Sequence, residues 1–211
     1  MSKMQPFWWF LKPPSPACWK NSCEDLTEWD IDAGITAAIN LTDFKEGLGS
    51  LDLTLSSGVV EKGAQLKAAP SIGIDCSVYH GFYYMKKSGV MSWDGFIGRF
   101  IEASTGYYVG FYIGYGTTQY DTIYGMMTDN WGSHGYSLGV PVVVGTWYWL
   151  EVRRNNARYD FYVNGVLKWT IYGGYALTPS YFRTSVGSYA LPQRWLIDLV
   201  RTATKEEYPP T

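Results

Sequence analysis

Residues 145–172, GTWYWLEVRRNNARYDFYVNGVLKWTIY, alternate apolar and polar positions in three short runs separated by Asn-Asn and Asn-Gly. A period of two is the signature of strands that bury one face. In the first run Leu150 and Val152 share a face, and Glu151 and Arg153 share the other. Asn155-Asn156 tolerates the positive φ of a tight hairpin. The return run sets Tyr159, Phe161 and Val163 against Asp160 and Tyr162. Asn-Gly, at 164–165, is the strongest short hairpin signal. Leu167, Trp169 and Ile171 then fall together on the core face of a third strand. The stretch predicts a meander with a dry face and a wet face. Glu151, Arg153, Asp160 and Lys168 are expected to pair across the wet face, with little effect on stability individually.

The same period recurs along the chain. GSLDLTLSSG places Leu51, Leu53 and Leu55 on one face and Asp52 and Thr54 on the other. EDLTEWDID, ITAAINLT, SVYHGFYYMK and QYDTIYGMM read as further strands, and VPVVVG follows a predicted loop over 128–139. GFIGRFIEAS and GYYVGFYIGYG read as a pair around a turn at 103–106. Strands at this spacing, with turn residues between them, indicate a sandwich or barrel. No segment sustains a 3.6-residue period, so helix is expected to be minor. Residues 1–22 read as an irregular arm, because Pro6, Pro13, Pro14 and Pro16 interrupt any regular element. Phe7, Trp8, Trp9 and Phe10 are costly to leave in water, so the arm is expected to pack on its own domain or on a partner subunit. The sandwich domain spans 23–205, and 206–211 read as a frayed tail.

Composition agrees. Of 211 residues, 18% are aromatic and only 17% charged, and 23 are Gly. Aromatic rings fit a pleated, half-buried surface. A net charge of −2 with no basic stripe argues against nucleic acid as a partner. No apolar run approaches the ~18 residues of a membrane span. The run Phe7–Leu11 is too short for a signal-peptide core, so no export signal is expected in this chain. Either the chain acts inside the cell, or an extracellular or virion-surface location is reached by another route or after removal of a leader. Cys18 and Cys23 could close a short loop, or stay as thiols with Cys76; the spacing does not make a zinc site.

The meander GTWYWLEVRRNNARYDFYVNGVLKWT resembles a strand triplet of the concanavalin A-like lectin/glucanase superfamily, in its laminin-G-like branch, through Trp147, Phe161, Val163, Asn164 and Gly165. EDLTEWDI resembles the acidic opening of these domains, and GLGSLDLTL their second strand. RWLIDLVRTAT resembles their closing strand, with Asp198 at a position that commonly holds Asp. The resemblance covers about residues 24–204. It implies an all-β, two-sheet antiparallel jelly roll with one concave face. Members bind glycans, cleave them, or serve as adhesive and structural modules, so the fold leaves function open.

Catalytic motifs are not apparent. The superfamily's glucanases place three acids on one strand as Glu-x-Asp-x-x-Glu, which suits nucleophile and acid/base roles. Here Glu28 and Asp30 are followed by Ala33. Arg99 and Glu102 stand three apart and face opposite sides of an ideal strand. Binding chemistry is more legible. In TDNWGSHGY, Trp131 and Tyr136 can stack on a pyranose, and Asp129, Asn130 and His134 can bond its hydroxyls. Trp93 in SWDG adds a second aromatic, and Arg99, Tyr108 and Tyr112 are expected to line the concave face between them. Glu24, Asp25 and Asp198 are hard oxygen donors on the first and last strands, where such jelly rolls often hold a structural Ca²⁺. The expected function is a non-catalytic carbohydrate-binding module. The alternative is a structural or assembly protein, such as a virion decoration subunit docking through the arm, and the third reading is a polysaccharide hydrolase or lyase.

Overall fold

The computed structural model describes residues 20–56, 59–67, 79–89, 95–116, 119–188 and 192–203. The predicted residues before Lys20, the tail, Trp93, Cys18 and Cys76 lie outside them. The elements are β1 (Lys20–Asn21), a 3-10 turn (Leu26–Glu28), β2 (Trp29–Ile31), β3 (Ile35–Asn40), β4 (Ser50–Leu55) and β5 (Val59–Leu66). There follow β6 (Tyr79–Ser88), β7 (Gly95–Ile101), β8 (Tyr108–Gly116), β9 (Gln119–Asp129) and β10 (Gly132–Pro141). The chain closes through β11 (Trp147–Asn155), β12 (Arg158–Val163), β13 (Val166–Tyr172), β14 (Tyr181–Ser188) and β15 (Gln193–Ala203). Among the described residues no helix is long and apolar enough to cross a membrane.

Two antiparallel sheets face each other, as the alternation predicts. One is eight-stranded, in the order β13-β12-β11-β6-β15-β4-β3, with β1 paired to β15. The other is seven-stranded, β10-β9-β8-β7-β14-β5-β2. Lys20 and Asn21, within the stretch read as an arm, pair with Arg201 and Val200. The core lies between the sheets. Leu51, Leu53, Leu55, Leu150, Val152, Tyr159 and Phe161 enter it from the first sheet, and Val109, Phe111, Ile113 and Phe182 from the second. Phe82 is wedged among Phe100, Phe111 and Phe182, with ring centroids 6.2, 6.0 and 5.0 Å away. Each such buried ring contributes on the order of 2–3 kcal/mol of hydrophobic free energy.

The meander forms as read. Asn164 (φ 50) and Gly165 (φ 76) both take the positive φ of a type I′ turn. The first turn is centred one residue later than expected, on Asn156-Ala157, because Asn155 still pairs with Arg158. The third strand departs from the pattern. Ile171 is buried, but Leu167 and Trp169 are 47% and 44% exposed. β13 is the edge of its sheet, and its register with β12 shifts beside Phe161, so the facing sheet no longer covers it. The wet face is also drier than predicted. Trp149 lies against Gly81, and its Nε1 donates to Glu151, which also takes Arg153.

The predicted loop over 128–139 is a hairpin instead. β9 runs to Asp129, Asn130-Trp131 make a two-residue turn, and β10 returns to Pro141. Gly132, Ser133, Gly135 and Gly139 conceal this edge strand from an apolar-periodicity reading, because it buries little more than Leu138. Conversely VPVVVG is strand only at Val140 and Pro141, the end of β10, and Val143 and Val144 beyond it are exposed. EDLTE forms a 3-10 turn capped by Asp25 rather than strand.

Candidate functional site

The outer face of the seven-stranded sheet carries a cleft of about 230 Å³ lined by Gly95, Phe96, Tyr108, Tyr112 and Met126. Its floor follows from strand alternation. With Val109, Phe111 and Ile113 in the core, Tyr108 and Tyr112 of β8 point outward, and Tyr112 sits opposite Tyr124 of β9 with ring centroids 4.8 Å apart. Phe96 meets Tyr108 edge-on at 5.1 Å and Tyr112 at 6.1 Å. Tyr108 Oη donates weakly to Met126 Sδ at 3.9 Å.

Arg99 joins this aromatic floor because of a bulge. Phe96 and Arg99 are three residues apart and would face opposite sides of an ideal strand. The β7–β8 register shifts between Phe96 and Gly98, which sends Ile97 into the core and leaves Phe96 and Arg99 on one face. The guanidinium carbon stands 4.4 Å from the Phe96 centroid and 5.4 Å from that of Tyr108. Arg99 Nη2 donates to Glu61 Oε1 at 2.9 Å, and Ser185 Oγ donates to the same oxygen at 2.7 Å. Arg183 is the cross-strand partner of Arg99, a like-charge pairing that would destabilise the sheet alone. Asp32 relieves it by accepting from Arg183 Nη2 at 2.6 Å. Arg99 Nε is buried without an acceptor.

The structure thus brings together Arg99, Tyr108 and Tyr112, and adds Phe96, Met126, Tyr124, Glu61 and Ser185. Nothing in the sequence pattern singles these out. Phe96 reaches its face only through the bulge, and Glu61 and Ser185 approach Arg99 across strand pairings that are distant in sequence. Trp93 lies outside the described residues.

The hairpin residues separate into different roles. Asp129 is buried and holds the turn: Oδ1 accepts from Trp131 N at 2.8 Å, and Oδ2 from Gly174 N at 2.5 Å. His134 rests against it, with Nε2 3.6 Å from Oδ1. Tyr136 shares the inward side of β10 with Leu138. It stacks on Trp169 of β13, with centroids 5.2 Å and planes 22° apart, closing the open side of the sandwich. Asp129, His134 and Tyr136 therefore each make packing contacts within the hairpin and with β13. Asn130 and Trp131 are exposed, Tyr136 is 44% exposed and His134 is half-buried.

The three carboxylates proposed for Ca²⁺ each accept backbone amides. Asp198 Oδ2 already accepts from Lys45 N (2.6 Å) and Glu46 N (2.9 Å). Glu24 Oε1 accepts from Leu48 N at 2.6 Å, and Asp25 Oδ1 caps Thr27 N at 2.8 Å. Their lone pairs fasten the 45–48 loop and the 3-10 turn. Among the described residues no group of three His, Cys, Asp or Glu is placed to hold a metal. Burial pushes the Asp198 carboxyl up to about 6, against the opposing pull of its amide bonds.

No protein-family model and no curated protein matches the chain. Solved structures share its fold. An endo-β-1,4-glucuronan lyase from the fungus Trichoderma reesei superposes with a TM-score of 0.60 at 15% identity, over 89% of this chain and 95% of that one. A cellulose-induced protein gives 0.62 at 13%, over 89% and 97%. A β-glucanase from Bacillus licheniformis gives 0.57 at 12%, over 91% and 100%. At these identities the likeness is one of architecture alone, a two-sheet antiparallel sandwich of the kind that the sequence resemblance implied.

Proposed function

We propose that this chain is a carbohydrate-binding module whose ligand lies in the cleft on the outer face of the seven-stranded sheet. The observation that carries this reading is the floor of Phe96, Tyr108 and Tyr112 with Arg99 set among their rings. Such a floor offers flat apolar faces to a sugar's C–H surface. The neighbours in fold that act on glucuronan and β-glucan support a saccharide as the ligand class. Hydrolysis has less support. It calls for two carboxyl groups flanking the bond to be cleaved. The described lining has none, and the Glu61 carboxylate is committed to Arg99 and Ser185.

A glycan array with the purified protein, followed by calorimetric titration of the strongest hit, tests the reading. Tyr112→Ala is expected to weaken that binding at least about tenfold, or about 1.4 kcal/mol, without lowering secondary-structure content. Binding that is indifferent to Tyr112→Ala would remove the cleft from the proposal. A folded protein that binds no glycan would remove the proposal itself and leave the assembly role. Release of reducing ends or unsaturated products from polysaccharides would favour the enzyme.

A further inference from the structure

Away from the cleft, one aromatic side chain is held in solvent on a seat shaped for it. Trp131 is the second residue of the β9–β10 turn and is 66% exposed. Beneath it lies Gly174. A Cβ there would fall 2.5 Å from Trp131 Cε2, 2.7 Å from Cδ2, and 2.5 Å from Asn130 Oδ1. Cε2 and Cδ2 form the bond shared by the two indole rings, which has no free edge, so this contact is made by the ring face. One face of the indole covers bare glycine backbone and leaves the opposite face to water.

The seat is fixed by side chains from three strands and by Glu102, just past the end of β7. Asp129 joins the turn to Gly174 through the two bonds described above. Tyr159 Oη donates to Tyr175 O at 2.8 Å and accepts from Leu177 N at 2.7 Å. Burial pushes its pKa up to about 12, so it stays a donor at any ordinary pH. Arg154 Nη1 donates to Leu177 O at 2.6 Å, and Glu102 Oε1 accepts from Thr178 N at 3.0 Å. A platform held this way loses little freedom when a ligand lands on it.

We infer that Trp131 is a second carbohydrate platform, which stacks a neutral pyranose ring on the solvent face of its indole with the Asn130 side chain alongside for ring hydroxyls. The surroundings favour a sugar over a protein partner. Asn130, Gly132 and Ser133 are exposed, small and polar, whereas a protein hot spot sits within a wider excluded surface. The charged groups around the seat, Asp129, Glu102 and Arg154, are committed to backbone bonds, so a neutral ring is the match. The inference rests on the carbohydrate reading of the cleft and extends it: a polysaccharide held at both places binds with avidity that neither gives alone.

The test is a titration of ¹⁵N-labelled protein with cellohexaose, laminarihexaose, mannohexaose and xylohexaose. The Trp131 indole resonance is assigned by its loss in Trp131→Ala. At least one hexaose should shift it, and the shift should persist in Tyr112→Ala, which disables the cleft. Gly174→Ala keeps the tryptophan but lifts it from its seat, and should weaken this binding about tenfold. Should that variant not fold, Trp131→Ala, which removes an exposed side chain and leaves the seat intact, should lower affinity for the matching polymer by a similar factor. A hexaose that moves cleft resonances and leaves Trp131 unmoved would overturn the platform and spare the cleft. A Trp131 shift that vanishes in Tyr112→Ala would overturn its independence. A panel that moves neither site would overturn both readings.

Discussion

Trp195→Ala should lower the free energy of unfolding by about 3–5 kcal/mol, the range for deleting a large aromatic from a packed core. Trp195 belongs to β15 in the middle of the eight-stranded sheet and is 1% exposed. Its indole crosses the core: Nε1 donates to Thr184 Oγ1 at 3.0 Å, on β14 of the other sheet. That hydroxyl in turn donates to Ile97 O at 2.8 Å, at the bulge that shapes the cleft. The side chain thus fills volume, ties the two sheets together and fixes the hydroxyl that completes the bulge. Trp195→Phe keeps most of the volume and removes the donor, so it should cost about 1–2 kcal/mol. Urea unfolding followed by far-ultraviolet dichroism measures both. If the two variants lose the same amount, the volume of the indole is not the dominant contribution. A loss below about 1.5 kcal/mol for the alanine variant would mean that the sheets close over the gap.

The second large effect is a pH dependence of unusual sign at Asp198. An aspartate ordinarily titrates near 3.9, and burial pushes this one up to about 6. Oδ2 receives the Lys45 and Glu46 amides, and burial of the carboxyl outweighs their pull. The folded state therefore holds the proton more tightly than the unfolded chain. Below about pH 4 both states are protonated and no penalty applies. As pH rises from about 4 to about 6, only the unfolded chain ionises freely, and stability falls. The accumulated loss is about 2–3 kcal/mol above pH 6. Asp43 and Asp25 act oppositely. Asp43 is held below the usual carboxylate range mainly by Lys87, and Asp25 mainly by the Thr27 amide, so acid removes their contribution. These contributions are common to wild type and Asp198→Asn, and cancel in a comparison. Urea unfolding of the two proteins from pH 4.5 to 7.5 should give a stability difference that shifts by about 2 kcal/mol in favour of the variant as pH rises. Parallel profiles would show that the amide bonds, and not desolvation, set this carboxyl.

The sequence by itself determined the sandwich. Strands that bury one face must alternate, and turns that require positive φ must use Asn or Gly, so both leave local signatures. The meander from Trp147 to Ile171, the β7–β8 pair and the Leu51–Leu53–Leu55 face were legible for that reason, as were Arg99, Tyr108 and Tyr112 as outward residues of neighbouring strands. The tertiary structure decided which residues meet. A one-residue bulge at Ile97 places Phe96 beside Arg99, and no period can announce an inserted residue. Glu61 reaches Arg99, Ser185 reaches Glu61, and Asp198 reaches the Lys45 and Glu46 amides, across 38 to 153 positions of chain. The edge of each sheet was misread because alternation assumes a covering layer. Where β13 and β10 outrun that cover, apolar residues such as Leu167 face water, and Tyr136 and Trp169 cover one another. The acidic and aromatic residues of the hairpin looked alike in sequence. Their separation into Asp129 as a buried clamp and Trp131 as an exposed indole depends on Gly174, which comes 43 residues later and whose missing side chain makes room for the ring.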